Sequence, residues 1–297
     1  MTATRADVDV RESLTPDEFY RDYVNKKPVV VRGGIRGLPA VSRWSIDYFR
    51  SIAPDLQVRV KTGNIAEGGT STRTLSEYCD MVAQRAAMNG SADRADSPIP
   101  YLHDFPLLRL IPELRKDLEP FPRDLFPKFF RTEWWTFCQV FVSAPDASTP
   151  FHFDTLLTHN LFFQVHGEKR FVMAPSEDRP YCYTYKWRWS AVDPDNPDFG
   201  RHPAFRKARV LECVLQGGDI LYMPPGTLHQ VTSLTASISF NIDWHDRMSA
   251  IRGMAAVGNG MPTQNLIYNS AFAMGVIAGV PYRVVAPVLD SYYYYIS

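Results

Sequence analysis

Between Trp134 and Trp244 the chain runs in short apolar stretches separated by Gly, Pro, Asp and Ser, and within those stretches apolar and polar residues alternate. A period of two puts successive side chains on opposite faces of a strand. The pattern predicts strands over residues 136–143, 160–165, 169–174, 210–214, 220–223, 230–233 and 236–244. In the last of these, Ile238, Phe240, Ile242 and Trp244 form one apolar face, while Ser237, Ser239, Asn241 and Asp243 form a polar one. A polar face on so apolar a strand points to a wet or ligand-filled interior; the competing reading is a face turned to solvent.

On either side the texture is helical. Thr15-Pro16-Asp17-Glu18 reads as a cap, a proline at the first helical position and acidic residues in the first turn, opening a helix that should reach about Asn25. Residues 28–32 (PVVVR) read as a buried strand stopped by Gly33-Gly34, 44–52 as a short helix capped by Ser45, 57–61 as a strand, and 75–86 as an amphipathic helix. Residues 90–100 are rich in Ser, Asp, Pro and Gly and read as a loop. Residues 104–130 carry five prolines and are expected to wrap the surface. After Trp244 helices are expected over 247–256 and from 262 to about 278.

Short strands at this spacing, with helices before and after, predict an all-β core with flanking helices, a double-stranded β-helix of the jelly-roll type. The expected division is an N-terminal helical and strand region over 1–130 packing on the core, the β-core over 131–246, and a C-terminal helical extension over 247–297.

Composition narrows the classes. A chain of 297 residues can bury a sizeable core, and 45% hydrophobic with 22% charged residues is ordinary for a soluble globular protein. Lys plus Arg and Asp plus Glu both number 32, so the net charge is zero and the electrostatic footprint of a nucleic-acid binder is missing. The four cysteines, Cys79, Cys138, Cys182 and Cys213, form no CxxC pair, which argues against a thiolate zinc site and for reduced thiols in a cytoplasmic protein. The first ten residues are polar and charged, unlike a secretory signal, and the apolar run over 271–280 is too short to span a bilayer.

The candidate chemistry begins at His152-Phe153-Asp154, where an imidazole and a carboxylate share one face of a strand. A third ligand is offered by His229, 75 residues after Asp154 and just past the strand and turn of Gly218 to Pro225. Two histidines and one carboxylate on one face of a metal leave open positions, the arrangement of non-haem Fe(II) oxygenases. An HxD alone is more often a hydrogen-bonded strand pair than a metal site, so the surrounding sequence has to decide.

That surrounding sequence, STPFHFD, then NLFFQVHGEKRFVMAP, GGDILYMPPGTLHQV and SISFNIDW, resembles the JmjC/cupin-like hydroxylases and is similar to the hypoxia-inducible-factor asparaginyl hydroxylase. The resemblance covers Trp134 to Trp244 and extends weakly to PVVVRG and Tyr101-Leu102. It implies a double-stranded β-helix with Fe(II), 2-oxoglutarate as cosubstrate and O2. On the matching positions, His152, Asp154 and His229 are implied as iron ligands and catalytic residues. Lys169 is implied as the cation pairing with the distal carboxylate of 2-oxoglutarate, Thr149 and Tyr101 as hydroxyls contacting that carboxylate, and Asn160 and Asn241 as asparagines beside iron and cosubstrate. The stretch from Asp154 to Asn160 is longer than in the asparaginyl hydroxylase, and Pro-Gly-Thr-Leu stands before His229 where many relatives carry Trp. Both departures bear on the substrate and leave the ligands untouched.

The implied reaction is hydroxylation of a C–H bond of a peptide, amino acid or small metabolite. The alternatives are N-methyl demethylation, a nucleic-acid hydroxylase, which the zero net charge disfavours, and a non-catalytic cupin scaffold, which the intact triad and Lys169 argue against. Residues 181–189 (YCYTYKWRW) form either a substrate lid or a packed crossover. His103, His166, His202 and His245 have no assigned role, and His159 has the wrong strand parity for a fourth ligand. The helix from Pro262 is apolar around most of its circumference, which predicts a homodimer through the C-terminal helices; the competing arrangement folds them back on their own chain.

Overall fold

The computed structural model describes residues 5–88 and 100–296. Two seven-stranded sheets form its centre. The first has the order β1 (Arg5–Asp7), β13 (Val210–Leu215), β10 (Lys169–Ala174), β15 (Leu228–Ser233), β8 (Ser148–His152), β12 (Trp189–Ser190) and β11 (Thr184–Tyr185). The second has the order β2 (Asp9–Arg11), β3 (Val29–Val31), β14 (Ile220–Met223), β9 (His159–His166), β16 (Ser237–Trp244), β7 (Cys138–Ser143) and β6 (Leu102–Phe105). Strands β7, β9, β14 and β16 lie in one sheet and their partners in sequence β8, β10, β13 and β15 in the other, so the chain crosses repeatedly between layers. This is the jelly-roll expected from the sequence. A separate hairpin, β4 (Gln57–Thr62) with β5 (Gly69–Thr74), is joined to the second sheet through the Lys61–Tyr101 bridge.

Strand alternation sorts the side chains into three layers. Lys169, Phe171 and Met173 on β10, Phe141 on β7, Phe162 on β9 and Leu221 on β14 point between the sheets; all six are buried. The opposite parity of the second sheet, including Leu161, Phe163, Ile238, Phe240, Ile242 and Trp244, faces outward onto the N- and C-terminal elements. The polar face of β16 is interior: Ser237, Ser239, Asn241 and Asp243 are all buried.

Local signals explain most of the helices. Thr15 and Glu18 form a reciprocal capping box on Pro16–Asp22, and Ser45 caps Ile46–Ile52. The first helix stops short of Asn25, which takes φ +63° and donates its backbone N–H to the Tyr222 hydroxyl at 3.0 Å. The segment over 104–130 does not wrap the surface. Its prolines break the backbone into short turns, including Leu107–Leu110 and Leu114–Asp117, but Leu107, Leu108, Leu114, Leu118, Phe126 and Phe130 are fully buried in the main core. Hydrophobic side chains between the prolines pull the segment inward, and Asp117 anchors it by accepting from Trp44 Nε1 at 3.0 Å and the Tyr48 hydroxyl at 3.1 Å. The loop expected over 90–100 lies, through residue 99, outside the described residues.

Three helices follow the last strand: Arg247–Ala255, Thr263–Val276 and Tyr282–Ile296, the last continuing through Pro287. Tyr268, Ala271 and Phe272 are buried in the main core, and the ring of Phe129 packs where Gly275 has no side chain. Ile267 and Val284 remain 58% and 64% exposed.

Candidate metal centre

His152 is the last residue of β8 and His229 the second of β15, and the two face each other directly in the antiparallel register. Their ring centroids are 4.3 Å apart. Asp154 follows two residues later, just beyond the strand, and brings Oδ1 to 3.8 Å from His229 Nε2. One ligand atom from each of the three residues lies within 4.8 Å of the others.

The backbone sets the tautomers. His152 Nδ1 donates to the Pro150 carbonyl at 2.7 Å and His229 Nδ1 to the Thr227 carbonyl at 3.1 Å. A carbonyl can only accept, so both protons sit on Nδ1 and both Nε2 lone pairs are left for a metal. Burial holds His152 well below the ordinary imidazole range, with His229 and Arg188 adding to the effect, so it stays neutral as a ligand must. The donor set fits a divalent cation.

Beside the triad, Asn160 Nδ2 donates to Asp154 Oδ2 at 3.2 Å and to Asp243 Oδ1 at 3.0 Å, and Asn241 Nδ2 donates to the same Asp243 oxygen at 3.2 Å. Burial, then the charges of Asp154 and Asp104, push the Asp243 carboxyl well above the usual range. Asn160 Oδ1, Asn241 Oδ1 and Gln139 Nε2 are buried without a protein partner.

Lys169 begins β10 after the turn at Gly167, where φ is +73° and an added Cβ would lie 2.1 Å from the Ala236 carbonyl oxygen. Only glycine fits there. Lys169 is 0% exposed; its Nζ donates to the Tyr101 hydroxyl at 2.8 Å and sits 5.2–5.4 Å from the rings of Tyr101, Phe141 and Phe162. Among the described residues no carboxylate forms an ion pair with it. Burial lowers its pKa from 10.5 to about 7, with Asp104 acting weakly the other way. A buried cation whose hydrogen-bond partner among the described residues is a phenol is built for an anion from outside the chain, and a dicarboxylate fits.

Seven of the eight site residues expected from sequence, Tyr101, Thr149, His152, Asp154, Asn160, His229 and Asn241, line one cavity of about 570 Å³, and Lys169 lies at its inner end behind Tyr101, Phe141 and Phe162. The sequence missed His103, which donates to or accepts from Thr149 Oγ1 at 3.1 Å and sits 2.8 Å from Asp104. It also missed Gln139 and the role of Asp243 beside the ligands, while Lys186, Trp187, Arg188 and Trp189 line the cavity as one wall. That wall comes from the aromatic segment over 181–189, whose Trp189 pairs in register with His152. His159 points to the outer face, as its parity predicted, stacked 4.0 Å from Trp244.

Residues 16–250 match the family described as a cupin-like domain. The chain belongs to the cupin-like, JmjC-type family of Fe(II)- and 2-oxoglutarate-dependent oxygenases. It is 30% identical over 243 residues to human tRNA wybutosine-synthesizing protein 5, covering 78% of this chain and 76% of that protein. It is 27% identical over 269 residues to the human bifunctional peptidase and (3S)-lysyl hydroxylase JMJD7, with 78% and 81% covered. With the Arabidopsis thaliana lysine-specific demethylase JMJ30 it shares 30% identity over 246 residues, 80% of this chain and 54% of that one. The resemblance to the asparaginyl hydroxylase holds at the level of this family. Among the described residues, no helix is long and apolar enough to cross a membrane.

Proposed function

We propose that this oxygenase hydroxylates a C–H bond of a peptide, amino acid or small metabolite, with His152, Asp154 and His229 as the iron ligands. The observation that carries the reading is the pairing of two sites in one interior: a two-histidine, one-carboxylate triad, and beyond it the buried ammonium of Lys169, which among the described residues has no carboxylate ion-pair partner. When bound, iron with 2-oxoglutarate and O2 supplies the oxidising power that breaks the substrate C–H bond, and the cosubstrate is consumed to succinate and CO2.

The residues of the chain do the rest. Lys169 holds the distal carboxylate of 2-oxoglutarate through a charge-assisted hydrogen bond in a dry pocket, helped by the hydroxyls of Tyr101 and Thr149. Asn160 fixes the Asp154 carboxylate by donating to the oxygen that does not face His229, and Asn241 continues the same network through Asp243. Phe141, Phe162 and Phe171 keep water from the inner end of the cavity.

A screen for succinate release with Fe(II) and 2-oxoglutarate against peptides, free amino acids and cell extract tests this. Stimulated succinate with a hydroxylated product is the expected result, and no turnover with any metal-loaded preparation refutes it. The relation to a lysine-specific demethylase favours N-methyl demethylation as the second reading; stoichiometric formaldehyde would establish it. A scaffold without catalysis would leave the Lys169 ammonium buried for no ligand.

We further propose the three-part organisation 1–130, 131–246 and 247–297, a cytoplasmic setting suited to four buried unpaired cysteines, and a homodimer through the C-terminal helices. The exposed Ile267, Met274 and Val284 support the dimer. Light scattering on the full chain decides: a monomer at micromolar concentration ends that proposal.

A further inference from the structure

Arg59 and Lys61 on the β4–β5 hairpin and Lys186 and Arg188 on the β11–β12 segment line the cavity together with an equal number of acids, Glu67, Asp104, Asp154 and Asp243. Arg188 is the most informative. It is partly buried, its guanidinium lies 4.5 Å from the centre of the Trp189 ring, and Trp189 is the strand partner of His152. Among the described residues no carboxylate or carbonyl accepts a hydrogen bond from that guanidinium. The acids that act on it through space, Asp104 and Asp243, form no hydrogen bond with it: Asp104 is engaged by His103 at 2.8 Å, and Asp243 by the amides of Asn160 and Asn241. Stacking on an indole fixes the plane of an arginine and leaves its donor fork free for a planar acceptor.

We propose that Arg188, seconded by Lys186, clamps a carboxylate on the substrate, of the kind an Asp or Glu side chain offers in an acidic peptide, and so holds the C–H bond to be oxidised beside His152. This rests on the oxygenase reading above. A carboxylate is favoured over a nucleic-acid backbone because Glu67, Asp104, Asp154 and Asp243 offset the four cations of the cavity, and they would repel a run of phosphates more than one planar anion held on one guanidinium.

The test is fluorescence anisotropy with the Fe(II)- and 2-oxoglutarate-loaded protein under nitrogen, using labelled (Gly-Glu)5, (Gly-Lys)5 and a 12-nucleotide RNA as probes. The acidic peptide should bind at least tenfold more tightly than the basic one, and Arg188→Gln should weaken it by about ten- to a hundredfold, the worth of a charge-assisted hydrogen bond. Arg188→Lys, which keeps the charge and loses the fork, should fall between. Lys186 is exposed, so Lys186→Gln folds regardless and should cost a few-fold; if Arg188→Gln does not fold, an unchanged Lys186→Gln overturns the proposal. Equal binding of the two peptides also overturns it. RNA binding above the acidic peptide would assign the cations to phosphates instead, and weakened 2-oxoglutarate binding in Arg188→Gln would place the guanidinium on the cosubstrate. The two readings fail separately: wild-type protein that binds no 2-oxoglutarate sinks the oxygenase role, while indifference to peptide charge sinks only the clamp.

Discussion

Replacing Lys169 with Met should make the ligand-free protein more stable and nearly abolish 2-oxoglutarate binding. Lys169 is fully buried with one phenolic partner, and burial lowers its pKa from 10.5 to about 7. A tenfold change in an equilibrium is worth about 1.4 kcal/mol, so holding the ammonium charged inside the apo protein costs on the order of 5 kcal/mol. Met fills a similar volume without that cost but removes the hydrogen bond to the Tyr101 hydroxyl, which takes back about 1–3 kcal/mol. The net expectation at pH 6 is a gain of about 2–4 kcal/mol in urea unfolding of the apo protein. Between about pH 7 and 10.5 the unfolded wild-type chain holds a proton at Lys169 that the folded one has lost. Wild-type stability therefore rises with pH across that window, and the difference between the two proteins closes. Binding runs the other way. A bound dicarboxylate needs the charged lysine, so wild-type affinity should fall as pH rises above about 7. In the Met variant the loss of a buried charge partner, about 3–5 kcal/mol, should raise Kd by roughly a hundred- to a few-thousandfold. Anaerobic calorimetry with Mn(II) in place of iron measures Kd from pH 6 to 9, and metal content should be unchanged. An unaltered 2-oxoglutarate titration would refute the assignment. Arg170 offers no rescue, because it is already paired with Asp195 and Glu212.

Asp154→Ala leaves two neutral ligands and should lose most bound metal by mass spectrometry; unchanged metal content would remove Asp154 from the site. Asn160→Ala frees the Asp154 carboxylate from its amide donor and should weaken metal affinity by about ten- to a hundredfold, read by competitive chelation. Gly167→Ala meets a carbonyl oxygen at 2.1 Å in a backbone with φ +73°, and should lower the thermal midpoint by well over five degrees, which corresponds to a loss of about 3 kcal/mol or more. A midpoint within one degree of wild type would show that the turn can yield.

The strands with a clean alternation were legible in sequence, and β10 and β14 fell where the pattern placed them. Other strands were not. β1 and β2 are three-residue edges with every residue exposed, so no apolar rhythm marks them. β5 is Gly-Thr-Ser-Thr-Arg-Thr, polar throughout, and becomes a strand because β4 offers it a ladder. β8 contains Pro150, which obscured it although it carries the first ligand. Pro287 likewise hid the helix Tyr282–Ile296, whose Tyr292 reaches the cavity wall. Within the site, the candidate metal ligands and Lys169 could be proposed from sequence because their spacing and context are specific, and the structure brings the three candidate ligands together. Gln139 and His103 could not, since their importance comes from partners 102 and 46 positions away, Asn241 opposite Gln139 and Thr149 against His103. Asp243 stood on the polar face that the sequence revealed, but only the structure shows its carboxyl tied to Asn160 and Asn241.

The cross-strand pairing of His152 with His229 makes the metal centre a gauge of alignment between two ribbons. Side chains alternate along a strand, so sliding β15 by one residue against β8 would send His229 to the outer face and bring Leu228 or Gln230 inward. Deleting a single residue from the Gly226-Thr227 turn should therefore erase the site more completely than altering either histidine. Conversely, a protein emptied of metal should keep its two imidazoles adjacent, because the strand pairing itself sets His152 opposite His229. Reloading should then be fast and tolerant of which divalent cation arrives first, leaving the choice of iron to supply and not to shape.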